Sequence, residues 1–130
     1  MKAQEIMSRP VVAAARTTTA RDLAIQMFLG GFSGMPVADR DGTIAGIVTE
    51  LDVIRAVRSG KQLESATAEE IMTREVITVD VDASLDEVME IFEEKKILRV
   101  PVTEQGKLVG VISRPDILRA LVQPNFMTFD

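Results

Sequence analysis

The sequence predicts an α/β (α+β) fold in which one β-α-β-β-α unit occurs twice and the two copies pack sheet to sheet. Three observations lead to this prediction. An internal repeat runs along nearly the whole chain, and both copies show the same order of helical and extended patterns. One copy, with three short strands and two helices, is too small to enclose a good core alone.

The repeat begins at Ala3–Arg9, which returns as Ala68–Arg74. Pro36-Val37 returns as Pro101-Val102 at the same displacement, and the later matches are shifted by one residue inside a turn, where length changes are tolerated. We therefore predict repeat 1 over residues 1–58, a polar linker over 59–67, repeat 2 over 68–122 and a C-terminal tail over 123–130.

The first half of each copy predicts an extended run and a helix. The runs are Val11–Ala14 and Val76–Val79, and a hydroxyl with a carboxylate three residues later marks each helix start, Thr19 with Asp22 and Ser84 with Glu87. In copy one the helix should end at Gly30-Gly31. Helical spacing predicts that its buried face consists of Ala20, Leu23, Ala24, Met27 and Phe28.

The second half of each copy predicts a hairpin and a last helix. The strands are Met35–Ala38 with Thr43–Val48, and Val100–Thr103 with Lys107–Ile112. The last helices should begin near Thr49 and near Ser113.

Composition excludes several classes of function. The chain has no Cys and no His, so thiolate chemistry and the commonest general base and metal ligand are missing. A net charge of −5 without a basic cluster, together with 4% aromatic residues, disfavours nucleic acid as a partner. No apolar run is long enough to cross a membrane, so we expect a cytoplasmic protein. We expect no enzyme activity, because neither a phosphate loop nor an acidic metal cluster is present.

The most informative segment is the junction between the last strand and the last helix, Gly46–Asp52 and Gly110–Asp116. One interpretation is a helix cap in which a hydroxyl and a carboxylate satisfy the first N–H groups. The other uses the same atoms for a ligand: the helix N-terminus suits a phosphate, and the carboxylate suits two sugar hydroxyls. Together these suit a nucleotide.

The repeated Gly-h-h-Thr/Ser-x-x-Asp junction, where h is an apolar residue, and the Pro-Val strand before it resemble the cystathionine-β-synthase (CBS) domain. Two in tandem resemble a CBS pair, or Bateman module, and the resemblance extends from Lys2 to about Leu121. It implies two clefts related by pseudo-two-fold symmetry that bind AMP, ADP, ATP or S-adenosylmethionine. The motif Asp would hold the ribose, and the adenine would lie near the first strand of the other copy.

The resemblance implies two sets of ligand-binding residues. The first is Ser8, Val11, Val12, Ala13, Ile112, Ser113 and Asp116, and the second is Val48, Thr49, Asp52, Thr73, Val76, Ile77 and Thr78. CBS pairs that hold phosphates often carry a basic residue before the Pro-Val strand, where copy two has Arg99 and copy one has Gly34. Arg99 either contacts phosphate, which makes the first set the preferred site, or is a strand residue paired with a nearby Glu.

The predicted function is a regulatory module that senses an adenosine-containing ligand and acts on a separate target protein. The alternative is a structural or partner-binding CBS pair without a nucleotide. We also expect a homodimer, because Ile25 and Leu29 extend the apolar surface of the first long helix and the family dimerises through such helices. The apolar tail, from Phe126 onward, either docks on that dimer or is disordered.

Overall fold

The computed structural model describes residues 1–122 of the chain, and the tail predicted over 123–130 lies outside the described residues. The fold is mixed α/β, as predicted. Its helices are α1 (Ala3–Ile6), α2 (Ala20–Gly30), α3 (Glu50–Arg58), α4 (Ala68–Ile71), α5 (Leu85–Lys95) and α6 (Arg114–Val122). Its strands are β1 (Gly34–Ala38), β2 (Ile44–Thr49), β3 (Val79–Asp80), β4 (Arg99–Glu104) and β5 (Lys107–Ser113).

The chain forms two compact units that do not coincide with the sequence repeats. The first unit contains Met1–Val11, Thr78–Gln105 and residues 109–122. The second contains Val12–Ile77 and the short stretch Gly106–Leu108. Each unit therefore combines most of one repeat with the opening segment of the other.

In the first unit, the N-terminal segment packs on the second repeat through backbone hydrogen bonds. The Ala3 N–H donates to Ala83 O at 2.7 Å, and Ser8 and Val111 exchange two bonds of 2.8 and 3.1 Å. Strand β4 lies between β3 and β5, with β3 parallel to it. The core consists of buried apolar side chains: Ala3, Ile6, Val79, Val81, Val88, Phe92, Val100, Val102, Ile112 and Ile117.

In the second unit, α4 and the residues after it pack on the first repeat in the same manner. The Ala68 N–H donates to Thr18 O at 2.7 Å, and Ile47 and Thr73 exchange bonds of 2.9 and 2.8 Å. Strands β1 and β2 form an antiparallel sheet. The core consists of Ala14, Leu23, Met27, Met35, Val37, Val48, Ala68 and Met72.

Three predictions of local structure are wrong or incomplete. The first extended run is not a strand, because within the described residues only Ala14 of this run forms a bridge, to Val37, while Val12 and Ala13 are exposed. In the second run only Val79 belongs to a strand, β3. Phe28 is 85% exposed and does not belong to the buried face of α2.

The predicted capping boxes of the long helices are present only in half. The Thr19 hydroxyl accepts from the Asp22 N–H at 3.1 Å, and the Ser84 hydroxyl accepts from the Glu87 N–H at 3.1 Å. Within residues 1–122 neither carboxylate returns a bond to its cap N–H, so one hydroxyl bond caps each helix. No helix in this described part is long and apolar enough to cross a membrane.

Candidate functional site

Asp116, in the first turn of α6, is the centre of a hydrogen-bonded cluster in the first unit. Its Oδ2 accepts bonds of 2.9 Å from the Ser113 N–H and from the Ser113 hydroxyl. Its Oδ1 accepts from the Ser8 hydroxyl at 2.9 Å and from the Arg119 guanidinium. The residue is only 5% exposed. The chain's own donors therefore engage both oxygens of a buried carboxylate.

The charge of this carboxylate is stabilised by its hydrogen bonds. Burial raises the pKa of Asp116, but the bonds from Ser113, Ser8 and Arg119 lower it by more, so the pKa lies below its ordinary value. Burial lowers the pKa of the half-buried Arg99, while the negative charge of Asp116 acts in the opposite direction. Arg99 and Asp116 thus lie within electrostatic reach of each other.

Asp52, in the first turn of α3, occupies the equivalent position in the second unit. Its Oδ2 accepts from the Thr49 N–H at 2.8 Å and from the Thr49 hydroxyl at 3.1 Å. The Thr73 hydroxyl donates to Asp52, at 3.1 Å from Oδ1 and 3.4 Å from Oδ2. Asp52 is 7% exposed. The arrangement repeats that of Asp116, with Thr73 in the place of Ser8.

Two glycines of the junction motif allow this arrangement. A Cβ atom at Gly46 would lie 2.6 Å from Met72 Sδ and 2.8 Å from Thr73 O, and one at Gly110 would lie 2.5 Å from Met7 Sδ. Because these glycines have no side chain, the segments carrying Thr73 and Ser8 approach the strands closely enough for their hydroxyls to reach the aspartates.

The capping interpretation of the motif matches the described geometry. The Asp52 N–H donates to the Thr49 hydroxyl at 3.3 Å, and the Asp116 N–H donates to the Ser113 hydroxyl at 3.4 Å, so both capping boxes are complete. These bonds do not exclude a ligand, because the ligand interpretation uses the same helix N-termini.

Most of the predicted site residues of each set lie within one unit. The first unit contains Ser8, Val11, Arg99, Ile112, Ser113 and Asp116, whereas the second contains Val12 and Ala13. For the other set, the second unit contains Val48, Thr49, Asp52, Thr73, Val76 and Ile77, whereas the first contains Thr78. Ile112 and Val48 are fully buried, so they support the motif from the core.

The difference between Arg99 and Gly34 has a steric reason. Gly34 is buried, and a Cβ atom there would lie 3.1 Å from Val48 O and 3.4 Å from Thr49 Cγ2. The first repeat therefore has little room for a long basic side chain at this position. A cation near the second unit's aspartate must come from elsewhere.

Such cations line a cleft next to Asp52, which we call the Asp52 cleft. It has a volume of about 260 Å³ and is lined by Asp52, Arg55, Ala56, Ser59, Lys61 and Ile71. This volume is slightly below the roughly 300–1,000 Å³ of typical small-molecule pockets.

Sequence reasoning missed Arg119 as a member of the Asp116 cluster. The signal was present, because Asp52-Val53-Ile54-Arg55 matches Asp116-Ile117-Leu118-Arg119 in the repeat alignment. A residue three positions after an aspartate lies on the same side of a helix, where the two side chains can pair.

Comparison with known proteins identifies the family. The CBS domain model matches the chain twice, over residues 3–59 and 68–123. The chain belongs to the CBS-domain family. It is a CBS pair, which is a regulatory module, and the predicted resemblance is confirmed.

Related proteins support this assignment along the whole chain. Hypoxic response protein 1 of Mycobacterium tuberculosis is 30% identical over 128 residues, which cover 98% of this chain and 90% of that protein. An uncharacterized Methanopyrus kandleri protein, MK0525, is 33% identical over 117 residues, and the match covers 88% of this chain but only 60% of that longer relative.

Among solved structures, the CBS domain pair of protein MJ0100 is similar in both sequence and fold. The two chains are 28% identical with a TM-score of 0.82, and the match covers 96% of this chain and 98% of that one. MJ0100 was crystallised in complex with 5′-methylthioadenosine and S-adenosyl-L-methionine.

Proposed function

We propose that this CBS pair is a regulatory module that binds an adenosine-containing ligand, such as AMP, ADP, ATP or S-adenosylmethionine, and is not an enzyme. The observation that carries the proposal is the repeated geometry, in which a buried aspartate lies beside two hydroxyls at a helix N-terminus. Its carboxylate matches a ribose diol, and the helix N-terminus matches a phosphate. The MJ0100 complex supports this class of ligand.

Binding at these aspartates would be coupled to chain conformation. Ser8 and Thr73 belong to the opening segments that each repeat contributes to the other unit, and each donates to the motif aspartate. A ribose hydroxyl that replaces one of these bonds would weaken the attachment of its segment. Such a difference between free and bound states is what a regulatory switch requires.

The Asp116 site is the preferred site for a phosphorylated ligand in this proposal. Arg99 lies within electrostatic reach of Asp116 and supplies a guanidinium, the side chain best suited to phosphate oxygens. Gly34, at the equivalent place in the first repeat, supplies no guanidinium. The Asp52 site would then bind the same ligand more weakly.

Titration calorimetry with AMP, ATP and S-adenosylmethionine tests the proposal. Ser113→Ala should weaken binding at least tenfold, since it removes a site hydroxyl together with the α6 cap. Ser84→Ala is the matched control, because it removes an equivalent hydroxyl cap from α5 outside the site and should leave affinity unchanged. Equal affinities of both variants and wild type would contradict the site assignment.

The alternative is a structural or partner-binding CBS pair without a nucleotide. One observation favours it, namely that Asp116 is fully hydrogen-bonded by the chain itself. A ligand that binds only the folded state raises apparent stability by about 2.7 kcal/mol at one hundred times its Kd. An unchanged melting temperature with millimolar AMP, ATP and S-adenosylmethionine would therefore favour this alternative.

We also propose that the chain forms a homodimer through the apolar surface of α2 and α3 in the second unit. Large apolar side chains are exposed on both helices: Ile25, Phe28, Leu29, Leu51, Ile54 and Val57. Exposed apolar side chains on two helices that contact each other are characteristic of an interaction site. The second copy of the chain supplies an identical surface, as a two-fold interface requires.

Light scattering at micromolar concentration tests the dimer. Phe28→Glu should convert the protein to a monomer and leave its circular dichroism unchanged, because the side chain is 85% exposed in the single chain. The control is Val12→Glu, which changes an exposed residue outside these helices and should keep the dimer. Phe92→Glu would not be a suitable control, because Phe92 is in the core. A wild-type monomer, or a dimer unaffected by Phe28→Glu, would contradict the proposal.

A further inference from the structure

The Asp52-x-x-Arg55 and Asp116-x-x-Arg119 pairs have the same spacing, but the structure shows them in different arrangements. Arg119 donates from Nη2 to Asp116 Oδ1. Within residues 1–122, Asp52 accepts hydrogen bonds from Thr49 and Thr73 alone, and Arg55 lines the Asp52 cleft without bonding to its aspartate.

The acceptor capacity of the two carboxylates differs as a result. A carboxylate has about four lone-pair positions. Asp116 receives four bonds, from the Ser113 N–H, the Ser113 hydroxyl, the Ser8 hydroxyl and the Arg119 guanidinium. From the described residues 1–122 Asp52 receives three donors, so one position remains for a ligand hydroxyl.

We propose that Arg119 is a positioning residue that acts through Asp116 as a latch, which a ribose diol must displace before it can bind there. The inference rests on the proposed function and adds a residue that controls access to the first unit's site. The Arg119 side chain is 57% exposed while its partner is 5% exposed, so the guanidinium can move into solvent when a ligand takes its place. Within residues 1–122 the Asp52 site has no equivalent latch, so its free position accepts a ribose hydroxyl directly.

The experiment uses Arg119→Met, which removes the guanidinium and keeps an unbranched, helix-compatible side chain. Adenosine is the probe, because it carries the diol without a charge. An NMR titration that follows the Ser113 and Thr49 amide signals reports on the two sites separately. We expect Arg119→Met to tighten binding at Ser113 about fivefold, which corresponds to about 1 kcal/mol, with no change at Thr49.

Three controls separate a latch from a general structural effect. Arg119→Lys keeps a cation and should stay within about twofold of wild type. Arg58→Met is the control in the second unit, because Arg58 is an exposed arginine of α3 outside the lining of the Asp52 cleft, and it should leave adenosine binding at both signals unchanged. For 2′,3′-dideoxyadenosine, which lacks the diol, Arg119→Met should have the same affinity as the wild type.

The outcomes distinguish the latch from the proposed function. If the wild type binds adenosine and Arg119→Met does not bind it more tightly, or if the gain persists in Arg119→Lys or without the diol, the latch is wrong while ligand binding stands. If only Arg119→Met binds, the latch is supported in its strongest form. If neither protein binds any adenosine-containing ligand, both the latch and the proposed function are wrong.

Discussion

Replacing the two motif glycines by alanine should destabilise the protein to unequal extents. In both cases the new methyl group meets a methionine, Met72 for Gly46 and Met7 for Gly110, and the flexible thioether can move aside. The backbone oxygens behind them differ: Thr73 O would be 2.8 Å from the methyl at Gly46, and Ser8 O would be 3.2 Å from the methyl at Gly110.

The size of each effect follows from these distances. Ordinary contact begins at 3.4 Å, so Thr73 O must retreat by about 0.6 Å, whereas Ser8 O must retreat by about 0.2 Å. Thr73 O accepts the Ile47 N–H at 2.9 Å and Ser8 O accepts the Val111 N–H at 3.1 Å, so the larger retreat of Thr73 O weakens its bond more. We expect Gly46→Ala to lower the free energy of unfolding by about 2–3 kcal/mol and Gly110→Ala by about 1 kcal/mol.

Urea denaturation followed by far-ultraviolet circular dichroism measures both values, since the chain has no Trp or Tyr for fluorescence. A double-mutant cycle locates the cause. In a Met7→Ala background, Gly110→Ala should lose most of its effect on the free energy of unfolding. In a Met72→Ala background, Gly46→Ala should keep a substantial part of its effect, because the Thr73 carbonyl remains in place. Equal costs for the two glycine variants, or a larger cost at Gly110, would refute the reasoning.

Two other predictions concern acid stability and helix termination. The folded-state pKa of Asp116 is lowered, so the contribution of its carboxylate to the free energy of unfolding is present above the unfolded pKa of about 3.9 and is lost as the pH falls through the folded value. Asp116→Asn should therefore flatten the decline of the free energy of unfolding below about pH 4. Urea titrations that show the same decline in wild type and variant would contradict this. The residue that follows helix α5 is Lys96, with φ of 53°, and the residue that follows α2 is Gly31, with φ of 70°. Because this left-handed backbone favours glycine, Lys96→Gly should raise the free energy of unfolding by about 0.5–1 kcal/mol and Gly31→Ala should lower it by about 1 kcal/mol. A destabilised Lys96→Gly variant would show that the left-handed lysine carries no strain.

The repeat and the hairpins could be predicted from the sequence to within a residue or two. Alternating apolar residues and a turn glycine define a hairpin locally, and β1, β2, β4 and β5 lie where this pattern placed them. The helix caps at Thr49 and Ser113 are likewise local, because a cap joins residues only three positions apart. Resemblance to a known family then supplied the interpretation of the caps as ligand sites, which stays a proposal.

Other features depend on contacts that no local pattern encodes. The sequence placed Phe28 on the buried face of α2 with Leu23 and Met27, yet these two are buried while Phe28 is 85% exposed in the single chain. The extended runs before α2 and α5 form almost no strand: within residues 1–122 only Ala14 of the first run forms a bridge, and only Val79 of the second lies in a strand.

The sequence by itself determined that one unit occurs twice, where its helices begin, and which glycines, hydroxyls and carboxylates recur together. These properties depend on spacing along the chain, which folding does not alter. Only the tertiary structure decided that each repeat contributes its opening segment to the other unit, which brings Ser8 to Asp116 and Thr73 to Asp52. Only the tertiary structure decided that Arg119 pairs with Asp116 while, within residues 1–122, Arg55 does not pair with Asp52. Such pairing depends on the other groups that pack around each side chain.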